Sequence, residues 1–142
     1  RFKKPDPFYI ILGPLAGLVA ITAGCNSMTS VTSIFVGIIG AIIAIIVNEI
    51  LNRFEIDDVV GAISVHGFAG VWGTLAVAFS GGNLVSQIVG TASICIFVFF
   101  LSLLIWYLLG FSMGIRVSEE DELNGLDSSE LGMDAYPDFS KS

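Results

Sequence analysis

The sequence predicts an all-α membrane protein, a polytopic bundle of four transmembrane helices followed by a short, partly helical C-terminal tail. Of its 142 residues, 54% are hydrophobic and 13% are charged, and the mean hydropathy is +0.86. Soluble domains carry roughly 25% charged residues, so this composition is typical of a chain embedded in a lipid bilayer. The apolar residues also fall into four long runs separated by short loops, which sets the expected number of spans.

The four predicted spans are residues 8–24, 31–51, 57–80 and 84–113. The fourth run would reach about 45 Å as a helix, which exceeds the roughly 30 Å hydrocarbon core of a bilayer. We therefore expect this helix to tilt strongly, to break near Gly110 or to protrude. Trp106 and Tyr107 lie near its far end, where an aromatic belt is expected.

Small residues predict close packing between the first two spans. Gly13 and Gly17 form a G-x-x-x-G pattern in the first span, which is typical of helices whose backbones approach closely. The small residues beside this pattern and along the second span are Ala16, Ala20, Gly37, Gly40, Ala41 and Ala44.

The distribution of charge predicts the orientation of the spans. The basic residues at the span ends all lie on one side of a four-span arrangement: Arg1, Lys3, Lys4, Arg53 and Arg116. The positive-inside rule places this side, and so both ends of the segment, in the cytoplasm of a cell-membrane protein. Eight of the thirteen acids fall within residues 116–142, and an acidic tail disfavours nucleic acid as a partner because phosphate contacts need Lys and Arg.

The predicted organisation is a transmembrane bundle at residues 1–113 and a cytoplasmic tail at residues 114–142. In the tail, Ser118 precedes three acids and can cap a short helix that ends at Asn124-Gly125. Asp127, with Glu130 three residues later, can start another turn.

His66 is the only histidine of the chain, and it lies inside the third apolar run. In a helix that starts at Asp57 it lies roughly 14 Å beyond that residue, close to the bilayer midplane. An ionisable group at this depth is costly, so we expect it to line a pathway. The alternative is a structural histidine that is hydrogen-bonded to a neighbouring helix.

The predicted surroundings of His66 are small or apolar, and they contain no acid or base. The expected neighbours on its helix face are Val59, Ala62, Ile63, Ala69, Gly70 and Gly73. Such surroundings suit a small polar molecule that exchanges hydrogen bonds with a neutral imidazole, rather than a hydrated ion. They supply no further metal ligand, so we expect neither a metal nor a cofactor.

Asp57 and Asp58 stand together before this run. Adjacent acids at a helix N-terminus are explained by capping and by the helix dipole, so we do not interpret them as a catalytic pair, and we expect no enzyme.

Three blocks of the sequence are distinctive: GPLAGLVAITAGC in the first span, DDVVGAISVHGFAGVWGTL in the third and GIRVSEEDELNGLDSSELGMDAY in the tail. Together they resemble the ammonium transporter family (the Amt, Mep and Rh proteins), and its Amt branch in particular. The resemblance implies the last four of eleven spans of a homotrimer with one pore in each subunit. Because the chain opens on the charged loop Arg-Phe-Lys-Lys-Pro, it also reads as a segment of a longer protein.

The resemblance implies roles for individual residues. His66 matches the second of two histidines at the centre of a pore for ammonium or ammonia, and Ala62 matches a pore-lining position. Asp57 and Asp58 match acids at the cytoplasmic end of that helix. The tail matches a regulatory segment that answers to a PII-type protein, through the positions Arg116, Glu119, Glu120, Gly125, Leu126 and Asp127.

The chain also departs from the family pattern, and two other functions stay open. The tail has Glu130-Leu131-Gly132-Met133 where the family usually has a histidine and a second acid, so we expect altered coupling to a regulator. One alternative function is an ammonium sensor whose Amt-like domain signals through a fused cytoplasmic module. The other is a truncated scaffold that only oligomerises.

Overall fold

The computed structural model describes residues 6–133, and every regular element within that range is helical. The chain begins with α1 (Pro7–Thr22) and α2 (Ser30–Arg53). A composite helix follows, which consists of a π-helical stretch (Ala62–Ala69), α3 (Gly70–Ala76) and a 3₁₀ turn (Val77–Ser80). The remaining helices are α4 (Leu84–Met113), α5 (Glu119–Asn124) and α6 (Leu126–Leu131). The chain divides into two units between Ile96 and Phe97.

Three helices of the described chain are long and apolar enough to cross a membrane. They are α2, the composite helix and α4, with hydropathies of 2.6, 1.5 and 2.7. Helix α1 is also apolar, but its 16 residues extend only about 24 Å, so it is the shortest of the four predicted spans. The all-helical, polytopic membrane fold predicted from the sequence is therefore confirmed.

Helix α4 is continuous from Leu84 to Met113, so the structure excludes the predicted alternative of a break at Gly110. None of its residues is buried. Most of its large apolar side chains, among them Phe97, Phe99 and Trp106, are more than half exposed. Such a surface suits contact with lipid or with further membrane helices.

Small side chains hold α1, α2 and the composite helix together in the first unit. A Cβ atom on Gly17 would lie 3.3 Å from the carbonyl oxygen of Gly37, so these two backbones are almost in contact. Ala16 and Ala20 are fully buried in the same interface. The predicted close packing is therefore present, but Gly13 takes no part in it, because a Cβ atom there would meet nothing within 4 Å.

Two apolar clusters form the core between these three helices. The first consists of Leu12, Ala16, Ala44, Val65 and Ala69, and the second of Ala20, Val36 and Ala76, with Trp72 packed against it. The indole Nε1 of Trp72 donates a hydrogen bond to the carbonyl oxygen of Val36 at 3.0 Å. Trp72 therefore joins the composite helix to α2.

The helix of the third span begins later than predicted. The sequence suggested a start at Asp57, but the helix begins at Ala62, and Gly61 before it has a left-handed backbone with φ of 70°. A glycine is needed there because a side chain is strained at positive φ. The prediction placed His66 about 14 Å from the start of its helix at Asp57. In the structure His66 lies about 6 Å beyond the first helical residue, Ala62.

The second unit contains the two short helices expected in the tail. The Ser118 Oγ accepts a hydrogen bond from the backbone N–H of Asp121 at 3.1 Å, which confirms the predicted cap of α5. Helix α6 starts differently from the prediction. Its N-cap is Gly125, without a side-chain hydrogen bond, and Asp127 lies within the first turn.

Candidate functional site

The candidate site begins at the Asp58 carboxylate, which holds the start of the composite helix. Its Oδ1 accepts the N–H of Ile63 at 3.0 Å. Its Oδ2 accepts both the N–H and the hydroxyl of Ser64, each at 2.8 Å. Asp58 is only 8% exposed and Ser64 is fully buried. The carboxylate therefore satisfies backbone donors that the first turn of a helix leaves unpaired.

These contacts fix the charge state of Asp58. Burial raises the pKa of its carboxyl group, but the hydrogen bonds from Ile63 and Ser64 outweigh this effect and lower the pKa below the ordinary value of 3.8. Asp58 is therefore ionised at neutral pH. The predicted capping role belongs to this residue, whereas Asp57 beside it is exposed.

The helix that Asp58 caps starts in a π-helical form, and His66 lies inside it. The carbonyl oxygen of Gly61 accepts two hydrogen bonds, one from the N–H of Val65 at 2.9 Å and one from the N–H of His66 at 3.2 Å. The second bond spans five residues, which is the π-helical pattern. Short π-helical segments occur frequently at functional sites, because they change which side chains share a face.

The π-helical register leaves Val65 fully buried in the core, while His66 is exposed. The His66 side chain lines an open groove of about 450 Å³ within the first unit. The other lining residues come from α1, the composite helix and the first half of α4: Val19, Thr22, Gly70, Val71, Thr74, Gln87, Gly90, Thr91, Ile94 and Cys95.

The groove combines apolar walls with uncharged groups that can form hydrogen bonds. Threonine hydroxyls, the Gln87 amide and the Cys95 thiol join the imidazole, and the eleven described lining residues include no acid, lysine or arginine. The Thr91 Oγ1 atom is enclosed and has no hydrogen-bond partner within the described chain. Such walls disfavour a cation and accept a small polar molecule.

Of the neighbours predicted for His66, only Gly70 lines the groove. Val59, Ala62, Ile63, Ala69 and Gly73 are not among the described lining residues. The prediction used α-helical spacing from Asp57, whereas the chain is not helical before Ala62 and is π-helical around His66. Ala62 is exposed one turn before His66.

A second, smaller cavity of about 270 Å³ lies at the start of α1 and of the composite helix. Asp57 and Asp58 line it together with Tyr9, Asn48 and Asn52. Asn48 is 4% exposed, and its Oδ1 accepts hydrogen bonds from the Tyr9 hydroxyl and from the Asn52 amide. Within the described residues, no three acid, histidine or cysteine side chains group as a metal site.

The tail residues singled out by the sequence are at the protein surface. Arg116 forms an ion pair with Glu122, with an Nη2–Oε2 distance of 2.9 Å, and this carboxylate raises the pKa of the arginine. Both side chains are more than half exposed, so the pair contributes little to stability. Glu119, Glu120, Leu126 and Asp127 are exposed, and Gly125 has φ of 96°.

The comparison with known proteins identifies the family. The model of the Ammonium Transporter Family matches residues 1–136. The chain belongs to the ammonium transporter family. It is 38% identical to ammonium transporter Amt1 of Haloferax mediterranei over 96% of the chain. It is also 36% identical to ammonium transporter Amt2 of Archaeoglobus fulgidus over 98% of the chain, and 32% identical to the ammonium transporter of Bacillus subtilis over 96%.

The chain covers only part of these family members. It spans 28% of the Haloferax protein, 34% of the Archaeoglobus protein and 38% of the Bacillus protein. The helices described here therefore correspond to about a third of an ammonium transporter of this family.

Most of the polar residues that share the groove with His66 were not predicted from the sequence. Gln87, Thr91 and Cys95 recur at four-residue spacing on α4, so they lie on one face of that helix. This four-residue spacing is the sequence signal that distinguishes them. The signal is weak because the surrounding run is strongly apolar.

Proposed function

We propose that this chain is the C-terminal part of an ammonium transporter in which ammonium or ammonia crosses the membrane beside His66. The observation that carries the proposal is the groove, where the one histidine of the chain is exposed among lining residues that bear no fixed charge. Membership of the ammonium transporter family and the names of its relatives support the choice of substrate.

The chemistry of the groove suits ammonia better than ammonium. An apolar wall penalises a cation, whereas a neutral molecule that forms hydrogen bonds can replace its lost water contacts with imidazole and hydroxyl groups. A neutral imidazole has one nitrogen that accepts a proton and one that donates. Ammonium that gives its proton to this nitrogen becomes ammonia and leaves an imidazolium, and release of the proton on the far side restores the histidine.

The rest of the pore must come from the part of the protein that this chain does not cover. The proposal includes a first histidine opposite His66, a homotrimer with one pore in each subunit and a location in the cell membrane. It also places both ends of this segment in the cytoplasm, with residues 1–113 as the membrane bundle and residues 114–142 as a regulatory tail. Contact of that tail with a PII-type regulator is part of the same proposal.

The test is the current that follows an ammonium jump in proteoliposomes of the complete transporter, with and without the His66→Ala substitution. We expect a current in the parent that the substitution abolishes or makes unselective against potassium. Ser93→Ala is the control, because Ser93 is exposed on α4 and is not among the groove-lining residues.

Two results would contradict the proposal. An undiminished and selective current in the His66→Ala variant would remove His66 from the path. Ammonium binding by the parent without any current would favour the sensor.

A further inference from the structure

The π-helical stretch at Ala62–Ala69 is a rare form of backbone. Particular contacts must therefore stabilise it against a regular α-helix. Each residue of an α-helix advances about 100° around the axis. A shift of register by one residue therefore moves a side chain to a different face. In this structure the neighbours Val65 and His66 have opposite environments, one fully buried and the other exposed in the groove.

Two contacts select the π-helical register. The Gly61 carbonyl oxygen accepts the N–H of His66, and Gly61 itself has φ of 70°. A Cβ atom on Gly61 would lie 2.8 Å from Cγ2 of Val65, so the turn is closed around that side chain. The Asp58 carboxylate accepts the N–H groups of Ile63 and Ser64 from the other side of the turn.

The Ser64 hydroxyl is the one side-chain donor among the hydrogen bonds described for the Asp58 carboxylate. It donates to Oδ2 at 2.8 Å, and the Ser64 side chain is completely buried. A hydrogen bond to a charged acceptor in a buried place is stronger than a neutral one. Ser64 therefore secures the carboxylate in the orientation that pairs with the first turn of the π-helix.

We propose that Ser64 is a positioning residue, whose hydrogen bond to Asp58 keeps the π-helical register that turns His66 toward the groove. Its role for transport rests on the proposed function, but its effect on the register does not. Without this bond, the first turn is free to tighten toward the α-helical pattern. Tightening turns both side chains in the same direction about the helix axis, so that residue 65 moves toward the groove and residue 66 moves past it.

Thiol labelling of the complete transporter tests the register directly. In a cysteine-free background, His66→Cys and Val65→Cys are labelled separately with a water-soluble thiol reagent, in the presence of Ser64 and after Ser64→Ala. We expect the labelling rate at position 65 to rise about tenfold without a rise at position 66, a change of the size that one hydrogen bond to a charged group supplies. Ser93→Ala is the matched control and should leave both rates unchanged.

Two labelling results would overturn the inference. One is an unchanged rate at position 65. The other is a rise at both positions, which indicates a general loosening of the helix. Because labelling is read without ammonium, these results are independent of whether the protein conducts.

A double-mutant cycle on the ammonium current separates positioning from a direct role in transport. If Ser64 acts through His66, Ser64→Ala lowers the current of the parent about tenfold and changes nothing further in the His66→Ala variant. Independent losses that multiply in the double variant would contradict a positioning role.

Discussion

At the scale of single residues, the buried carboxylate of Asp58 stabilises the start of the helix that carries His66. The residue accepts three hydrogen bonds from the turn that precedes His66, and these bonds hold its pKa below the ordinary value. Its contribution to stability is therefore complete above the ordinary carboxyl pKa of about 4, and it is lost as the pH falls through the lowered pKa.

Removal of this cap should be costly. We expect Asp58→Ala to lower the free energy of unfolding by about 3 kcal/mol, because it leaves buried N–H groups without an acceptor. Asp58→Asn keeps one acceptor oxygen and should cost less. The measurement is the thermal unfolding midpoint of the complete transporter for each variant at neutral pH, and equal midpoints for parent and Asp58→Ala would rule out the capping role.

The acid dependence of the same cap gives a second prediction. The parent should exceed Asp58→Asn in thermal midpoint by a constant margin above about pH 4. This margin should shrink as the pH falls further, because protonation neutralises Asp58 and the parent then has the same charge at this position as the Asp58→Asn variant. A margin that stays constant down to the lowest pH at which the protein folds would contradict the assignment.

Sequence alone singled out His66 as a candidate and predicted a capping role for the two acids, of which Asp58 performs it. A lone histidine in an apolar run and a pair of acids before it are local signals. The sequence did not identify Ser64 as the partner of Asp58. That contact depends on the left-handed turn at Gly61, and no periodic pattern predicts such a turn. The polar face of α4 was missed for the different reason that its neighbours are strongly apolar.

At the scale of the helices, the absence of side chains at selected glycines sets how closely the backbones pack. Gly73 lies against the backbone of Ala20, and an added Cβ atom would collide with the Ala20 carbonyl oxygen. Gly13, in α1, has open space around the corresponding position. The sequence predicted a small-residue interface correctly but assigned Gly13 to it, because spacing along one helix does not show which face meets a partner.

These two glycines give a matched pair of substitutions. We expect Gly73→Ala to destabilise the protein by about 2 kcal/mol, because α1 and α3 must move apart. We expect Gly13→Ala to be neutral or to stabilise by up to about 1 kcal/mol, because alanine favours a helix and meets no neighbour. The comparison of their thermal midpoints in the complete transporter is the measurement, and an equal loss in both variants would contradict the described packing.

At the scale of the whole molecule, the arrangement of charged loops predicts that residues 26–30 face outward and that the chain ends face inward. Cys25 is a natural probe because it is exposed immediately before residues 26–30. In intact cells, a membrane-impermeant maleimide should label Cys25, and Cys25→Ser should abolish that signal. Labelling of Cys25 only after the cells are opened would reverse the orientation.

The overall fold class followed from composition and from the four apolar runs, and the structure confirmed it. The sequence could not define how the helices begin and which faces meet, since these depend on contacts such as Trp72 with Val36 that join distant parts of the chain.

The proposed function requires that His66 form part of the wall of a conduction path once the rest of the transporter is present. An experimental density map of the complete protein would show the surroundings of the His66 imidazole. We expect a narrow, continuous passage that the imidazole faces, lined in part by Thr22, Thr74 and Gln87 from the groove. A map in which other helices cover this groove fully and the passage lies elsewhere would contradict the proposed function.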